Sequence, residues 1–143
     1  MGRRRTSRMN FACSLVGLLA LLAVAGGCAE ADSSEVQQLT QQEFLTNPPE
    51  GALILDVRTQ AEFDAGHVPG AMNISHDELA TRLDELDSAK DRAVVVYCRS
   101  GKRAGLASSV LLEAGYVNVL HLEGDMNAWN ASGLPTETSG AEH

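Results

Sequence analysis

Unbroken apolar runs alternate along this chain with stretches in which apolar residues recur every three or four positions. Ala52-Leu53-Ile54-Leu55 and Ala93-Val94-Val95-Val96-Tyr97 are continuous runs, the pattern of strands covered on both faces. The second is rich in β-branched residues, which suit a pleated surface. Ala71 to Ile74 and Val117 to Leu120 predict two shorter strands, the first preceded by a loop, Gly66-His67-Val68-Pro69-Gly70. Helix starts are marked by three Ser/Thr-x-x-Glu boxes: Thr40 to Glu43, Thr59 to Glu62 and Ser75 to Glu78. In each, the hydroxyl and the carboxylate can satisfy each other's backbone N–H. The first helix should run to about Asn47, since Pro48-Pro49 cannot continue it. Leu79, Leu83 and Leu86 follow the third box at helical spacing, with the acids of 77–91 on a wet face. Ala104 to Ala114 predicts a helix with Leu106, Val110 and Leu111 on one face, and Gly115 suits the left-handed residue that ends it. Asp125 to Ala131 predicts a closing helix with Trp129 inward, stopped by Gly133 and Pro135.

Strands that alternate with helices imply an α/β fold with a mainly parallel sheet. Ligands in such folds sit at the C-terminal ends of strands. Cys98 directly follows one.

Residues 1–27 do not fit this rhythm. Arg3, Arg4, Arg5 and Arg8 come without an acid, and a 17-residue, largely apolar run from Phe11 to Gly27 ends at Gly26-Gly27-Cys28. That arrangement predicts a secretory signal. The alternative is a membrane-spanning anchor, for which the run is short and diluted by Gly, Ala and Ser. Ala25-Gly26-Gly27-Cys28 resembles a bacterial lipobox, which implies lipidation of Cys28 and anchoring in the cell envelope; ordinary cleavage near Ala29 or Ala31 is the other reading. The predicted layout is a signal over 1–27, a lipid-anchored tether over 28–35, one domain over 36–137 and a disordered tail over 138–143.

Loss of the signal changes the charge. Four of the 11 basic residues and none of the 19 acids leave, so seven face nineteen and the net charge becomes −12. This argues against nucleic-acid partners and against electrostatic docking on anionic lipid, leaving acyl chains as the membrane attachment. Of the three cysteines, Cys13 departs with the signal and Cys28 would carry lipid. Cys98 is then the one free thiol, either buried and inert or reactive with a purpose.

Its neighbours favour reactivity. A loop from a strand into a helix start can turn successive N–H groups inward as an anion cradle. In Cys98-Arg99-Ser100-Gly101-Lys102-Arg103, Gly101 permits backbone angles closed to other residues. Arg99, Lys102 and Arg103 hold three of the seven remaining basic residues. Surroundings of this kind commonly lower a thiol from about 8.5 to about 7 or below. Acids farther than about 8 Å are screened at physiological salt, so the nearby amides and cations should outweigh the net negative charge.

Leu53-Ile54-Leu55-Asp56-Val57-Arg58, Glu62-Phe63 and Gly66 to Ile74 resemble the opening signature of the rhodanese family. Tyr97 to Ala104 resembles its active-site loop. Leu122-Glu123-Gly124-Asp125, Ala128-Trp129 and Gly133-Leu134-Pro135 resemble its closing signature. The resemblance implies a rhodanese-like three-layer α/β/α fold with a five-stranded, mainly parallel sheet. It implies that Cys98 takes a sulfane sulfur from an anionic donor such as thiosulfate and passes it, as a persulfide, to a thiol or cyanide acceptor, without a separate cofactor. Arg99, Ser100, Gly101, Lys102 and Arg103 would cradle the donor and the persulfide. Asp56 and Arg58 would brace the fold beside the site. The family usually has a second glycine where this chain has Asp125, a residue chemically suited to an N-cap.

Two other readings use the same loop. Phosphatases and arsenate reductases share the strand–Cys loop–Arg–helix plan, but they place five residues between Cys and Arg where this chain has four. The shorter cradle fits one sulfur better than a tetrahedral oxyanion, and no general acid is identifiable. A non-catalytic sulfur carrier or sensor differs only in lacking turnover. His67 is expected to anchor its loop, and His76 and His143 to be solvated. His121, ending a strand, is expected to be structural. No His or Cys pair has metal-ligand spacing.

Overall fold

The computed structural model describes residues 35–140. The predicted signal, Cys28, all of the tether except Glu35, and residues 141–143 lie outside them. Five strands form one wholly parallel sheet: β1 (Gln37–Leu39), β2 (Leu53–Asp56), β3 (Met72–Asn73), β4 (Ala93–Tyr97) and β5 (Asn118–Leu122), in the order β1-β5-β4-β2-β3. Four α-helices connect or follow them: α1 (Gln41–Thr46), α2 (Gln60–Ala65), α3 (Lys102–Glu113) and α4 (Asp125–Ala131).

β4 is central and entirely buried. Because side chains alternate across a strand, its residues divide between two cores. Val94 and Val96 join Leu55, Leu79, Leu86, Ala107 and Leu111 on one face. Ala93, Val95 and Tyr97 join Val68, Leu122, Met126 and Trp129 on the other. A continuous apolar run is thus what a strand inside a three-layer sandwich requires. Truncating Leu111 to alanine in such a core costs about 2–5 kcal/mol.

The topology also positions the site. From β2 the chain moves outward to β3. From β3 it crosses back to β4 and continues the other way to β5. Parallel crossovers are right-handed, so opposite directions put their connections on opposite faces. Between β2 and β4 the loops leaving the sheet therefore part, and a crevice opens at the strands' C-terminal ends. Arg58 and Arg99, each two residues past the end of its strand, both line it.

The first two capping boxes form as expected. Thr40 and Thr59 each accept the N–H of the residue three positions on, and Glu43 and Glu62 reach back to the cap N–H. The third box does not form. The Ser75 hydroxyl donates to Asp77, and the Glu78 carboxylate goes to Arg82 instead. The segment becomes two 3₁₀ stretches, Leu79–Thr81 and Leu83–Ala89. The second places Leu83, Leu86 and Ala89 three apart, the repeat of a 3₁₀ turn rather than an α-helix.

Three other expectations shift. β1 escaped the hydrophobic pattern because two of its three residues are exposed glutamines; only pairing with β5 makes it a strand. β5 runs two residues further than expected, and Val117 is exposed. α3 starts at Lys102, and its buried face is Ala104, Ala107, Ser108 and Leu111. Leu106 is 56% exposed, since at 100° per residue it lies about 140° from Leu111. Small residues carry the inner face instead. His67 does anchor its loop: its ring stacks on Phe63 with centroids 3.6 Å apart, and its backbone pairs with Glu137.

Candidate active site

Cys98 leaves the buried end of β4 with 1% of its surface exposed. Four residues later the chain is helical, so the turn from strand to helix is abrupt. Gly101 makes it possible, capping α3 at φ +95°, a value that L side chains rarely adopt. The Gly101 N–H then donates to the Cys98 Sγ at 3.0 Å. Nothing about the start of α3 favours the helix locally. It has no side-chain cap and no acid in its first turn, and Lys102 and Arg103 stand where the helix dipole prefers negative charge. Local rules broken together at one point mark a candidate functional site.

The base of the loop is clamped by α4. The Met126 N–H donates to the Cys98 carbonyl and the Asn127 N–H to the Arg99 carbonyl, both at 3.1 Å. The Cys98 N–H donates to Asp125 Oδ1 at 2.7 Å. Asp125 is therefore not the N-cap of its own helix, as its residue type suggested; Gly124 is. A Cβ on Gly124 would lie 2.5 Å from that of Ala128, so no larger residue fits at Gly124 without a shift. Asp125 itself has φ +51°, a conformation costing on the order of 1–3 kcal/mol for a non-glycine residue. Its other oxygen lies 3.0 Å from His121 Nε2. Neither His121 nor Asp125 was among the residues expected at the site. The legible signal was an acid in a position where the family has glycine, four residues after a strand-ending histidine.

The predicted loop residues take different places. Arg103 gives both guanidinium nitrogens to Glu62, at 2.7 and 2.9 Å. That pairing holds the Glu62 carboxyl at about 2, well below the usual carboxylate value. Arg99, with an exposed side chain, lines the crevice, while Ser100 and Lys102 are exposed and are not part of its lining. The crevice has a volume of about 350 Å³ and is also lined by Arg58, Glu62, Asn127, Asn130 and Thr136.

Asp56 and Arg58 form a buried ion pair, Nη2 to Oδ2 at 2.6 Å. Arg58 also donates to the Gly66 carbonyl at 2.8 Å and lies 5.8 Å from the centre of the Tyr97 ring. Burial, reinforced by Asp56, pushes the Tyr97 phenol above its ordinary value, and its oxygen accepts the Val68 N–H. These groups tie β2, β4 and the 66–70 loop together. Among the described residues, no cluster of His, Cys, Asp and Glu could hold a metal ion.

A parallel α/β sheet, with a cysteine just past the end of its central strand in a short loop that opens a helix, defines the class: α/β proteins with a cysteine loop at a strand end. Residues 38–132 match the Rhodanese-like domain, and the chain belongs to that family. It is 42% identical over 86 residues to a protein named sulfurtransferase from Allochromatium vinosum, covering 60% of this chain and 78% of that one. It spans about half the length of two further curated relatives, an uncharacterized Synechocystis protein and a transcriptional regulator of Mycobacterium tuberculosis. Among solved structures, a rhodanese-related protein from Thermoplasma volcanium superposes with a TM-score of 0.63 at 26% identity, covering 71% of this chain and 97% of that one. A structure described as rhodanese with anions, from Escherichia coli, gives 0.54 at 29% identity, covering 62% and 100%.

Proposed function

We propose that this protein is a sulfurtransferase that moves a sulfane sulfur from thiosulfate, or a similar anionic donor, to a thiol or cyanide acceptor through a persulfide on Cys98. The observation that carries the reading is the Gly101 N–H aimed at Cys98 Sγ from 3.0 Å. A donor so placed is complementary to negative charge on Sγ, the form in which Cys98 attacks and is later released.

In the first step the Cys98 thiolate attacks the outer sulfur of thiosulfate. A new S–S bond forms, the donor's S–S bond breaks, and sulfite leaves with the electron pair. In the second, cyanide or a thiolate attacks the outer sulfur of the persulfide, and the Cys98 thiolate is released. Arg99 at the crevice and the Arg103 charge offset the anionic donor, while Asp56 and Arg58 hold the walls. No further cofactor enters this scheme.

The intact mass of the protein after thiosulfate tests it. A gain of one sulfur that is absent from Cys98→Ser, with thiocyanate produced when cyanide is added, is the expected result. Sulfur on Cys98 without thiocyanate would make the protein a carrier. No adduct at all would refute the chemistry.

We also propose that the domain acts in the bacterial cell envelope, held by acyl chains on Cys28. The support is the basic, apolar and small-residue order of residues 1–28. Membrane-extracted protein should have lost 27 residues and gained acyl mass, and Cys28→Ala should not gain it.

A further inference from the structure

A carboxylate and an imidazole lie directly under the sulfur loop, and the transfer scheme above uses neither. Asp125 is 2% exposed. One of its oxygens holds the Cys98 N–H and the other holds His121. Both side chains also border the space beside Gly101, whose N–H contacts the sulfur. A Cβ at Gly101 would lie 3.2 Å from Asp125 Oδ2 and 3.3 Å from His121 Cε1.

This placement poses an electrostatic problem. A buried carboxylate bonded to the cysteine's own N–H repels negative charge on that cysteine's sulfur, with little water between them to screen it. The histidine resolves the conflict. We propose that His121 and Asp125 are a charge-balanced positioning pair: Asp125 fixes the Cys98 backbone, and protonated His121 cancels the carboxylate so that Cys98 can carry anionic sulfur.

The surroundings of His121 suit that role. Its hydrogen bond to Asp125, opposed by burial and helped by the Asp125 charge and then Glu123, raises its pKa above the ordinary histidine value. Its register partner on β4 is Val96 and on β1 is Gln38, neither of them charged. The loop and the first turn of α3 bring Cys98, Arg99, Lys102 and Arg103, the last held by Glu62. The acid in the first turn of α4 is Asp125 itself.

The proposal rests on Cys98 working as an anion, so its test uses no sulfur donor. The rate of Cys98 alkylation by iodoacetamide is followed against pH in the full chain, resolved from the other cysteines by peptide mass. His121→Asn should slow alkylation about tenfold at pH 7, equivalent to an upward shift of about one unit in the profile. His121→Asn combined with Asp125→Asn should recover to within about threefold of the wild-type rate, since a neutral amide can still accept the Cys98 N–H. A pair with a purely structural role would leave the double variant at least as impaired as the single one. Thermal unfolding is recorded for each variant, and His121→Gln is read in the same way if His121→Asn does not fold. A wild-type profile in the single variant, or no recovery in the double, overturns the proposal. If these shifts appear but thiosulfate leaves no sulfur on Cys98, sulfur transfer falls and the pair stands.

Discussion

α3 and α4 begin alike and do opposite things. Each follows a parallel strand, each is capped by a left-handed glycine, Gly101 or Gly124, and neither has a side-chain cap. At α4 the free N–H groups are spent within the protein, on the carbonyls of Cys98 and Arg99. At α3 the cap N–H faces the sulfur, and two cations follow it where acids would be more stable. One helix start is a clamp and the other is the cradle that it clamps. Helix termini leave the same unsatisfied donors everywhere; what is packed in front of them decides between structure and chemistry.

That contrast can be broken from either side. The largest effect is expected at the clamp. Gly124→Ala adds a methyl 2.5 Å from the Ala128 Cβ at a φ of +78°, and it should cost about 3 kcal/mol through overpacking and backbone strain. Urea unfolding measures this, and a midpoint close to the wild type would show that α4 can shift without penalty. At the cradle, Gly101→Ala meets only side-chain atoms at 3.2 and 3.3 Å. Stability should fall by about 1 kcal/mol, whereas sulfur loading should fall about a hundredfold as the N–H moves off the sulfur. If both quantities fell in proportion, the cradle would be no different from the clamp.

The helices with conventional caps provide the control. Thr40→Ala removes the capping box of α1 and should cost about 1 kcal/mol, with sulfur loading per folded molecule unchanged. The smallest effect belongs to the Glu62–Arg103 pair, whose side chains are 29% and 24% exposed. Glu62 titrates at about 2 when folded, below its ordinary 4.5. Its contribution is therefore complete above pH 4.5 and is lost as pH falls towards 2. After allowance for solvent screening it is about 0.5 kcal/mol. Glu62→Gln should flatten the stability profile across that window and leave it unchanged above.

Residue patterns revealed much of this site and missed its foundation. The Cys98 loop was readable because six consecutive residues, Cys98 to Arg103, carry its pattern, and Asp56 with Arg58 because they sit at the C-terminal end of an apolar run. Asp125 and His121 were not. Their hydrogen bond spans four residues, but what gives it meaning is the contact of Asp125 with Cys98, 27 residues away. The third capping box failed for a related reason. The right residues at the right spacing were diverted to Asp77 and Arg82, partners that the box rule does not consider.

The sequence by itself determined which segments are strands buried on both faces, where α1 and α2 begin, and where the cysteine loop lies. Those features depend on periodicity and on neighbours within about four residues, which the chain order already specifies. Only the tertiary structure decided that the exposed glutamines of β1 form a strand, that Leu106 faces outward, and that an aspartate in a glycine's place reaches under the cysteine. Each of these depends on a group brought close by folding, and distance along the chain carries no record of it.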